Sequence, residues 1–361
     1  MGPVRRPTPP ASVPARRTLV LVTSPHAGRA RRGLRRAEAA IARAGLVVRE
    51  TLPVSELGRL RPWLDRLTVE RPLIVAAGGD GTVGAVADAL AHSDAALGIV
   101  PLGTSNDVAR SLDIPLDIGA AVRLLATGPI STVDLGRFEA PDAAPRHFVH
   151  AATLGLNVAF ARVATRVSVR KRLGRFTYMV AASALIRRRE AFRCVLSLDD
   201  GDRSLPLSLV HLSVINAPVF GGFFGLRLRG SDPDDRRLDV LAIEDVPFSH
   251  LTLAALLIFL RRQPRVGGVR VYHARRLGIH VEQPLDVSLD GEIAGHVPGD
   301  FALAGEALRV VTGPRFVDVD DPEGVVIYVF REHQPRVRVE EPVEAEAELD
   351  DSAQARNQNR R

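Results

Sequence analysis

The sequence predicts an α/β protein: an N-terminal parallel sheet with helices on its faces, followed by a mostly antiparallel β domain. Three observations predict it. Short apolar strands alternate with helix-spaced segments from Thr18 to Ala126. Two of those strands run straight into glycine turns, Gly78–Val83 (GGDGTV) and Pro101–Asp107 (PLGTSND). From Phe138 to about Val311 the texture changes to short β-type runs separated by turn residues.

Taken in order, residues 1–17 hold five prolines and four arginines without apolar periodicity and read as a disordered basic arm. Leu19–Thr23 reads as a strand, Ala30–Ala44 as an arginine-rich helix, Leu46–Glu50 as a strand and Ser55–Leu67 as helical. Leu73–Ala77 is the strand before GGDGTV. After it, Val83, Val86, Ala87 and Leu90 recur at helix spacing, giving a helix to Ala91. A strand at Leu97–Val100 and helices near Val108–Leu112 and Ile118–Ala126 complete this half. The β-type runs are Cys194–Leu198, Leu207–Ile215, Leu238–Ile243, Gly278–Val281, Leu285–Leu289 and Leu308–Val311, with helical inserts at Phe176–Arg189 and Leu251–Arg262. Beyond Arg331 periodicity ends, and Glu340–Asp351 carries seven acidic residues. The division is therefore 1–17 basic arm, 18–136 α/β domain, 137–315 β-rich domain, 316–330 return segment and 331–361 disordered acidic tail.

Composition removes several classes. The chain has 361 residues, 46% apolar and 25% charged, with a net charge of +6, as an ordinary globular protein of two domains would. Lys171 is its only lysine and is followed by Arg172. A P-loop, which needs Gly-Lys-Ser/Thr, is therefore excluded, and so is a protein-kinase lysine on a strand after the glycine loop. Phosphate must be handled by backbone, hydroxyls, metal and arginine. Cys194 is the sole cysteine, so no internal disulfide forms; this fits a reducing compartment, and the thiol reads as a small buried hydrophobe. No stretch reaches the roughly 18–20 apolar residues that span a bilayer. The N-terminus lacks a signal-peptide apolar core. With three Tyr, one Trp and no interleaved basic–aromatic module, nucleic acid is not an expected partner.

Ligands of open parallel sheets sit beyond the carboxyl ends of the strands. Three loops fall there. Ser24–Gly28 offers amides and the Ser24 hydroxyl. Gly78–Thr82 (Gly78, Gly79, Asp80, Gly81, Thr82) combines backbone access, a carboxylate and a hydroxyl at a helix N-terminus. In Pro101–Asp107, Gly103 permits close approach, Thr104 adds a hydroxyl, and Asn106–Asp107 either caps the next helix or binds a hydrated cation. Asp80, Asp107 and Asp134 each end or follow a strand, and such carboxylates suit Mg²⁺ on a triphosphate. Far downstream, Leu289–Glu292 (LDGE) reads as an Asp-Gly hairpin turn, in which Glu292 adds a carboxylate able to accept a proton from an attacking hydroxyl.

These residues make the chain resemble the bacterial diacylglycerol kinase family, which includes sphingosine, ceramide and related lipid kinases. The resemblance runs from about Thr18 to about Thr312. It rests on GGDGTV, PLGTSNDVAR (Pro101–Arg110), Val133-Asp134-Leu135-Gly136, NAPVFGG (Asn216–Gly222) and LDGE, in that order and spacing. GGDGT alone is shared with NAD kinases. The resemblance implies a nucleotide domain like that of NAD and diacylglycerol kinases, a β-sandwich domain, and an active cleft between them using ATP and Mg²⁺. It implies Glu292 as proton acceptor and Asp80 and Asp290 beside it as catalytic carboxylates. Asp80, Asp107 and Asp134 become the metal network, and Ser24, Pro25, Gly28, the Gly78–Thr82 turn, Gly103 and Thr104 the nucleotide contacts. There are three departures. The first loop is Ser24-Pro25-His26-Ala27-Gly28 where the family has Asn-Pro-x-Ser-Gly. Gly84-Ala85 stand where Asn-Glu is common. The run Asp234-Asp235-Arg236-Arg237 lacks the glycine of the structural-metal loop, which speaks against Mg²⁺ at Asp232 and Asp235.

The implied activity is transfer of the γ-phosphoryl of ATP to a lipid hydroxyl, with diacylglycerol first among acceptors. A sphingoid base, ceramide or polyprenol acceptor remains open, as does an NAD kinase-like reaction. The expected location is cytoplasmic, with peripheral association at the inner face of the plasma membrane. The basic cluster Arg166–Arg175, Arg187–Arg189 and the apolar stretch Phe220–Phe224 would serve docking there. A homodimer is compatible with the sequence.

Overall fold

The computed structural model describes residues 18–24, 29–64, 73–155, 190–199, 203–217, 219–220, 226–228, 237–247, 249–250, 268–314, 316 and 325–327. All lie in the first of two compact units, Met1–Val329. The basic arm, Pro25–Gly28, both helical inserts, the Arg166–Arg175 cluster, Asp232–Asp235 and the acidic tail lie outside the described residues.

The first half is β1 (Thr18–Thr23), α1 (Arg29–Arg43), β2 (Val47–Pro53), a 3-10 turn (Val54–Arg59), α2 (Leu60–Leu64), β3 (Leu73–Gly78), α3 (Asp80–Leu90), β4 (Ala96–Pro101), α4 (Asp107–Ser111) and α5 (Ile118–Thr127). The strands pair in parallel in the order β2-β1-β3-β4. Strand alternation sorts the core onto two faces. Leu19, Leu21, Val75 and Val100 pack with Ala37 and Ile41 of α1 and Val122 and Leu125 of α5. Val20, Val22, Ile74 and Ile99 pack with Val83, Val86 and Leu90 of α3 and Val108 of α4. Both β3 and β4 are buried along their whole length, as a sheet covered on both sides requires. The single helix expected over Ser55–Leu67 is instead a 3-10 turn followed by α2, which ends at Leu64. Gly58 disfavours a continuous helix, and the restart at Leu60 places Pro62 in a first turn, where its missing N–H costs nothing.

The second half contains β5 (Ile130–Glu139), β6 (Arg146–Phe148), β7 (Ala151–Gly155), β8 (Phe192–Leu198), β9 (Arg203–Ile215), β10 (Val219–Phe220), β11 (Leu226–Leu228), β12 (Leu238–Glu244), β13 (Val269–Ala274), β14 (Arg276–Val281), β15 (Leu285–Leu289), β16 (Glu292–Val297), β17 (Gly299–Val311) and β18 (Val325–Ile327). The short β runs expected from sequence are all strands. Strands β5, β6, β7, β10, β11, β13, β16 and β18 had no expected run. The run at Leu308–Val311 is only the end of the 13-residue β17. That strand joins the halves. Its start pairs antiparallel with β14, its length with β5, and its end in parallel with β4 at Arg309↔Ala96 and Val310↔Leu97. Fifteen strands thereby form one hydrogen-bonded sheet, beside a small β10-β11-β18 sheet. The β half has its own core around Phe138, Phe148 and Phe301, with Phe138 and Phe301 ring centroids 4.8 Å apart. Cys194 is buried within it, and burial pushes its thiol up to about 11, leaving it an inert hydrophobe.

A polar clamp fixes α3 against β6. Asp88 accepts from Arg146 Nε (2.5 Å) and the His147 N–H (2.7 Å), and its Oδ1 lies 3.2 Å from His147 Nδ1. Burial pulls the Asp88 carboxyl up, but His147 and Arg146 together outweigh it and hold the group below the usual aspartate value.

Candidate active site

Parallel pairing aligns the carboxyl ends of β1, β3 and β4: Thr23 sits opposite Ala77, and Gly78 opposite Pro101. Ser24 and the two glycine turns therefore leave the sheet side by side. Between them lies a cavity of about 360 Å³. Ser24, Gly78, Gly79, Thr82 and Gly103 line it together with Arg31, and Leu34 and Leu102 form an apolar wall. Pro25 and Gly28 fall outside the described residues. Thr104 is exposed and is not among the lining residues.

The two glycine turns touch backbone to backbone. A Cβ on Gly103 would come 2.5 Å from the Gly79 Cα and 2.7 Å from Asn106 Oδ1, so no other residue fits there without displacing the loops. The Leu102 N–H donates to the Gly78 carbonyl at 2.8 Å. Asn106 closes its own loop: its Oδ1 accepts from the Gly103 N–H (2.9 Å) and its Nδ2 donates to the Gly103 carbonyl (3.1 Å). Its φ of +51° suits this left-handed corner, which Asn tolerates. Asn106 is thus a loop-former. Asp107 follows it, buried at the start of α4.

Asp80 opens α3 and accepts from the Val108 N–H at 3.0 Å. One carboxylate oxygen therefore ties the first turns of α3 and α4 together. The other makes no hydrogen bond among the described residues. Asp134, expected as a third metal ligand, is engaged elsewhere. Pairing of β5 with β17 jumps from Leu135↔Ala304 to Val133↔Leu308, and Asp134 faces this bulge, its Oδ1 accepting from the Glu306 N–H at 2.6 Å. Among the described residues no group of three metal-ligating side chains forms, so Asp134 does not join Asp80 and Asp107 in one cluster. Asp107 directly precedes Val108, whose N–H donates to Asp80.

The distal hairpin does reach this site. Leu289 pairs with Glu292, and Asp290 (φ +49°) and Gly291 (φ +93°) form the two-residue turn that Asp-Gly favours. A Cβ on Gly81 would lie 3.3 Å from Glu292 Oε1, and one on Gly84 would overlap Asp290 Oδ2. Glu292 is exposed, whereas Asp290 is buried. Asp290 accepts from the N–H groups of Val149 (2.9 Å), His150 (2.9 Å) and Ala151 (3.1 Å). Burial raises its carboxyl above the ordinary aspartate value, and His150 and the three amides oppose that rise. Asp290 was expected beside Glu292 as a catalytic carboxylate; here its oxygens are spent on backbone.

Two participants escaped sequence reading. Arg31 is one of several arginines in α1, and only the fold singles out the one facing the glycine turns. The Val149–Ala151 amides carry no side-chain signature at all.

A glycine-lined cavity at the strand ends of a parallel sheet, met by a carboxylate hairpin from a β domain, defines a two-domain kinase. Comparison with known proteins specifies which kind. Residues 18–138 match the diacylglycerol kinase catalytic domain, and residues 151–312 match the YegS C-terminal NAD kinase beta sandwich-like domain. A diacylglycerol kinase of Mycobacterium tuberculosis is 30% identical over 243 residues, 66% of this chain and 76% of that protein. A Xanthomonas euvesicatoria pv. vesicatoria protein named "Probable lipid kinase YegS-like" is 31% identical over 255 residues, 64% of this chain and 81% of the other. A crystal structure of a diacylglycerol kinase from Bacillus anthracis superposes with a TM-score of 0.59 at 18% identity, over 83% of this chain and 98% of that one, a likeness of fold. The chain belongs to the diacylglycerol kinase family of lipid kinases.

Proposed function

We propose that the protein transfers the γ-phosphoryl of ATP to the hydroxyl of a membrane lipid, diacylglycerol first, giving phosphatidic acid. The observation that carries this reading is the approach of Glu292 to Gly81, which brings a solvent-facing carboxylate to the first turn of α3, beside Gly79 and Thr82, which line the cavity. The cavity suits a nucleotide: the Gly78–Gly79 turn and the N-terminus of α3 offer amides to anionic phosphates, Gly103 lets the second loop approach closely, Arg31 supplies a positive charge, and Leu34 and Leu102 an apolar surface. Asp80 and Asp107 fit Mg²⁺, which keeps most of its waters and takes one or two carboxylates plus phosphate oxygens. When bound, that ion would neutralise charge developing on the transferred phosphoryl. Glu292 accepts the proton of the acceptor hydroxyl as its oxygen attacks phosphorus, and the departing oxygen leaves with ADP.

The acceptor comes from a bilayer surface, with association peripheral and at the cytoplasmic leaflet. Among the described residues no helix is long and apolar enough to cross a membrane. Of Phe220–Phe224, only the backbone of Phe220 in β10 is described. Labelled ATP offered with diacylglycerol, sphingosine, ceramide or undecaprenol in mixed micelles tests the reading, with NAD as a soluble control. Radiolabel in diacylglycerol, abolished by a chelator and restored by Mg²⁺, is expected. Transfer to NAD alone, or to no acceptor, would refute it.

A further inference from the structure

Three residues from the sequence motifs, Asp134, Asn216 and Asp290, hydrogen-bond to backbone. The fold links them. Asn216 Nδ2 donates to the Asp134 carbonyl and to the Val149 carbonyl, each at 3.0 Å. Its own N–H donates to the His150 carbonyl at 2.9 Å. Val149, His150 and Ala151 in turn give their N–H groups to the Asp290 carboxylate, and the Asp290 N–H returns to the Ala151 carbonyl at 2.9 Å. A continuous path thus runs from β5 through Asn216 and the Val149–Ala151 corner to Asp290. There it meets α3, because Asp290 Oδ2 occupies the space where a side chain at residue 84 would begin.

We propose that Asn216 and Asp290 are positioning residues that set Glu292 over the first turn of α3, and that Gly84 is the recess the Asp290 carboxylate requires. Glu292 begins β16, which among the described residues ends the sheet and pairs only with β15. An exposed hairpin tip on an edge strand has little of its own to fix it. Asp290 supplies the fixing. It is locked by three amides and sits in the two-residue turn that Glu292 flanks, so its depth against α3 sets the reach of the base. Buried beneath the turn, it cannot meet an acceptor hydroxyl. Reacting groups tolerate little displacement: about 1 Å costs on the order of 10²-fold in rate.

The assignment of Glu292 as base rests on the lipid-kinase reading; the clamp itself does not, and two measurements separate them. The first is steady-state kinetics of Asp290→Asn, Asn216→Ala and Gly84→Ala with labelled ATP and diacylglycerol. An amide at 290 sets N–H against N–H, and a methyl at 84 pushes the carboxylate out without removing any polar group. Each variant is expected to lose about 10²-fold in kcat while KM for ATP stays within about twofold. The Asp290→Asn/Asn216→Ala pair should be no worse than the worse single variant, as for residues acting as a unit. Unchanged kcat, an equal rise in the ATP KM, or losses that multiply in the pair would overturn the proposal. The second is amide hydrogen exchange at Val149, His150 and Ala151, which needs no substrate. Protection there is expected in the wild type and lost in Asp290→Asn; protection retained in the variant overturns the clamp. A wild type inactive on every lipid sinks the lipid-kinase reading alone and leaves the exchange result to decide the clamp.

Discussion

Gly81, in the first turn of α3, and Glu292, at the tip of the β15–β16 hairpin, are in direct contact: a side chain at 81 would begin 3.3 Å from Glu292 Oε1. The contact joins the first turn of a helix in the parallel-sheet half to a carboxylate supplied by the β-rich half.

Glu292→Gln keeps the shape and removes the base. Phosphoryl transfer should fall about 10²–10⁴-fold with the ATP KM unchanged, as measured by initial rates over a range of ATP. A variant that turns over at the wild-type rate would remove Glu292 from the mechanism.

Gly103→Ala forces a methyl to within 2.5 Å of the Gly79 backbone. Overpacking of this kind costs about 1–3 kcal/mol. Because both loops line the cavity, the loss should appear together as a lower urea midpoint and a weaker ATP KM. Gly45 is the comparison, since nothing lies within 4 Å of a Cβ there. Its φ of +71° makes Gly45→Asn the suitable substitution, and nucleotide kinetics should not change.

Much of this site is legible in the order of residues alone. Both glycine turns and the Asp-Gly hairpin are local signals: each needs only a few neighbouring residues to fix its geometry, and each stands where expected. The backbone partner of Asp134 was not legible, because the Glu306 N–H lies on a strand distant in sequence. The partners of Asp290 were hidden for the same reason, since they are amides of Val149–Ala151. The strands β5 and β7 were unmarked because their burial alternates irregularly, set by partners on both sides rather than by one solvated face, and β6 is only three residues long.

Arg31→Ala removes the cation lining the cavity. A hydrogen bond to a charged group contributes about 1.5–3 kcal/mol, so the ATP KM should rise about tenfold or more, with kcat changing less. Raising salt should weaken nucleotide binding less in the variant than in the wild type. Equal salt responses would exclude contact between Arg31 and phosphate.

His211 makes stability depend on pH. It is buried on β9, its Nε2 2.7 Å from Ser213 Oγ, and burial pushes it down to about 4, against a backbone hydrogen bond at Leu154 that raises it. An unfolded histidine takes a proton near pH 6.5, while His211 resists until about 4. The stabilisation is therefore complete above about pH 6.5 and declines as pH falls towards 4, by up to about 3 kcal/mol. Urea titrations across that window should show the slope in the wild type and a flatter one in His211→Gln. Asp88 acts lower: its depressed carboxyl stabilises above the unfolded value near 3.9 and is lost below it.

β17 borders β14 at one end and β4 at the other. Neither half owns it. A fragment stopping at Glu139 would leave the flank of β4 bare, its amides and carbonyls open to a stranger's strand. Swinging the halves apart like a clamshell would shear this common seam.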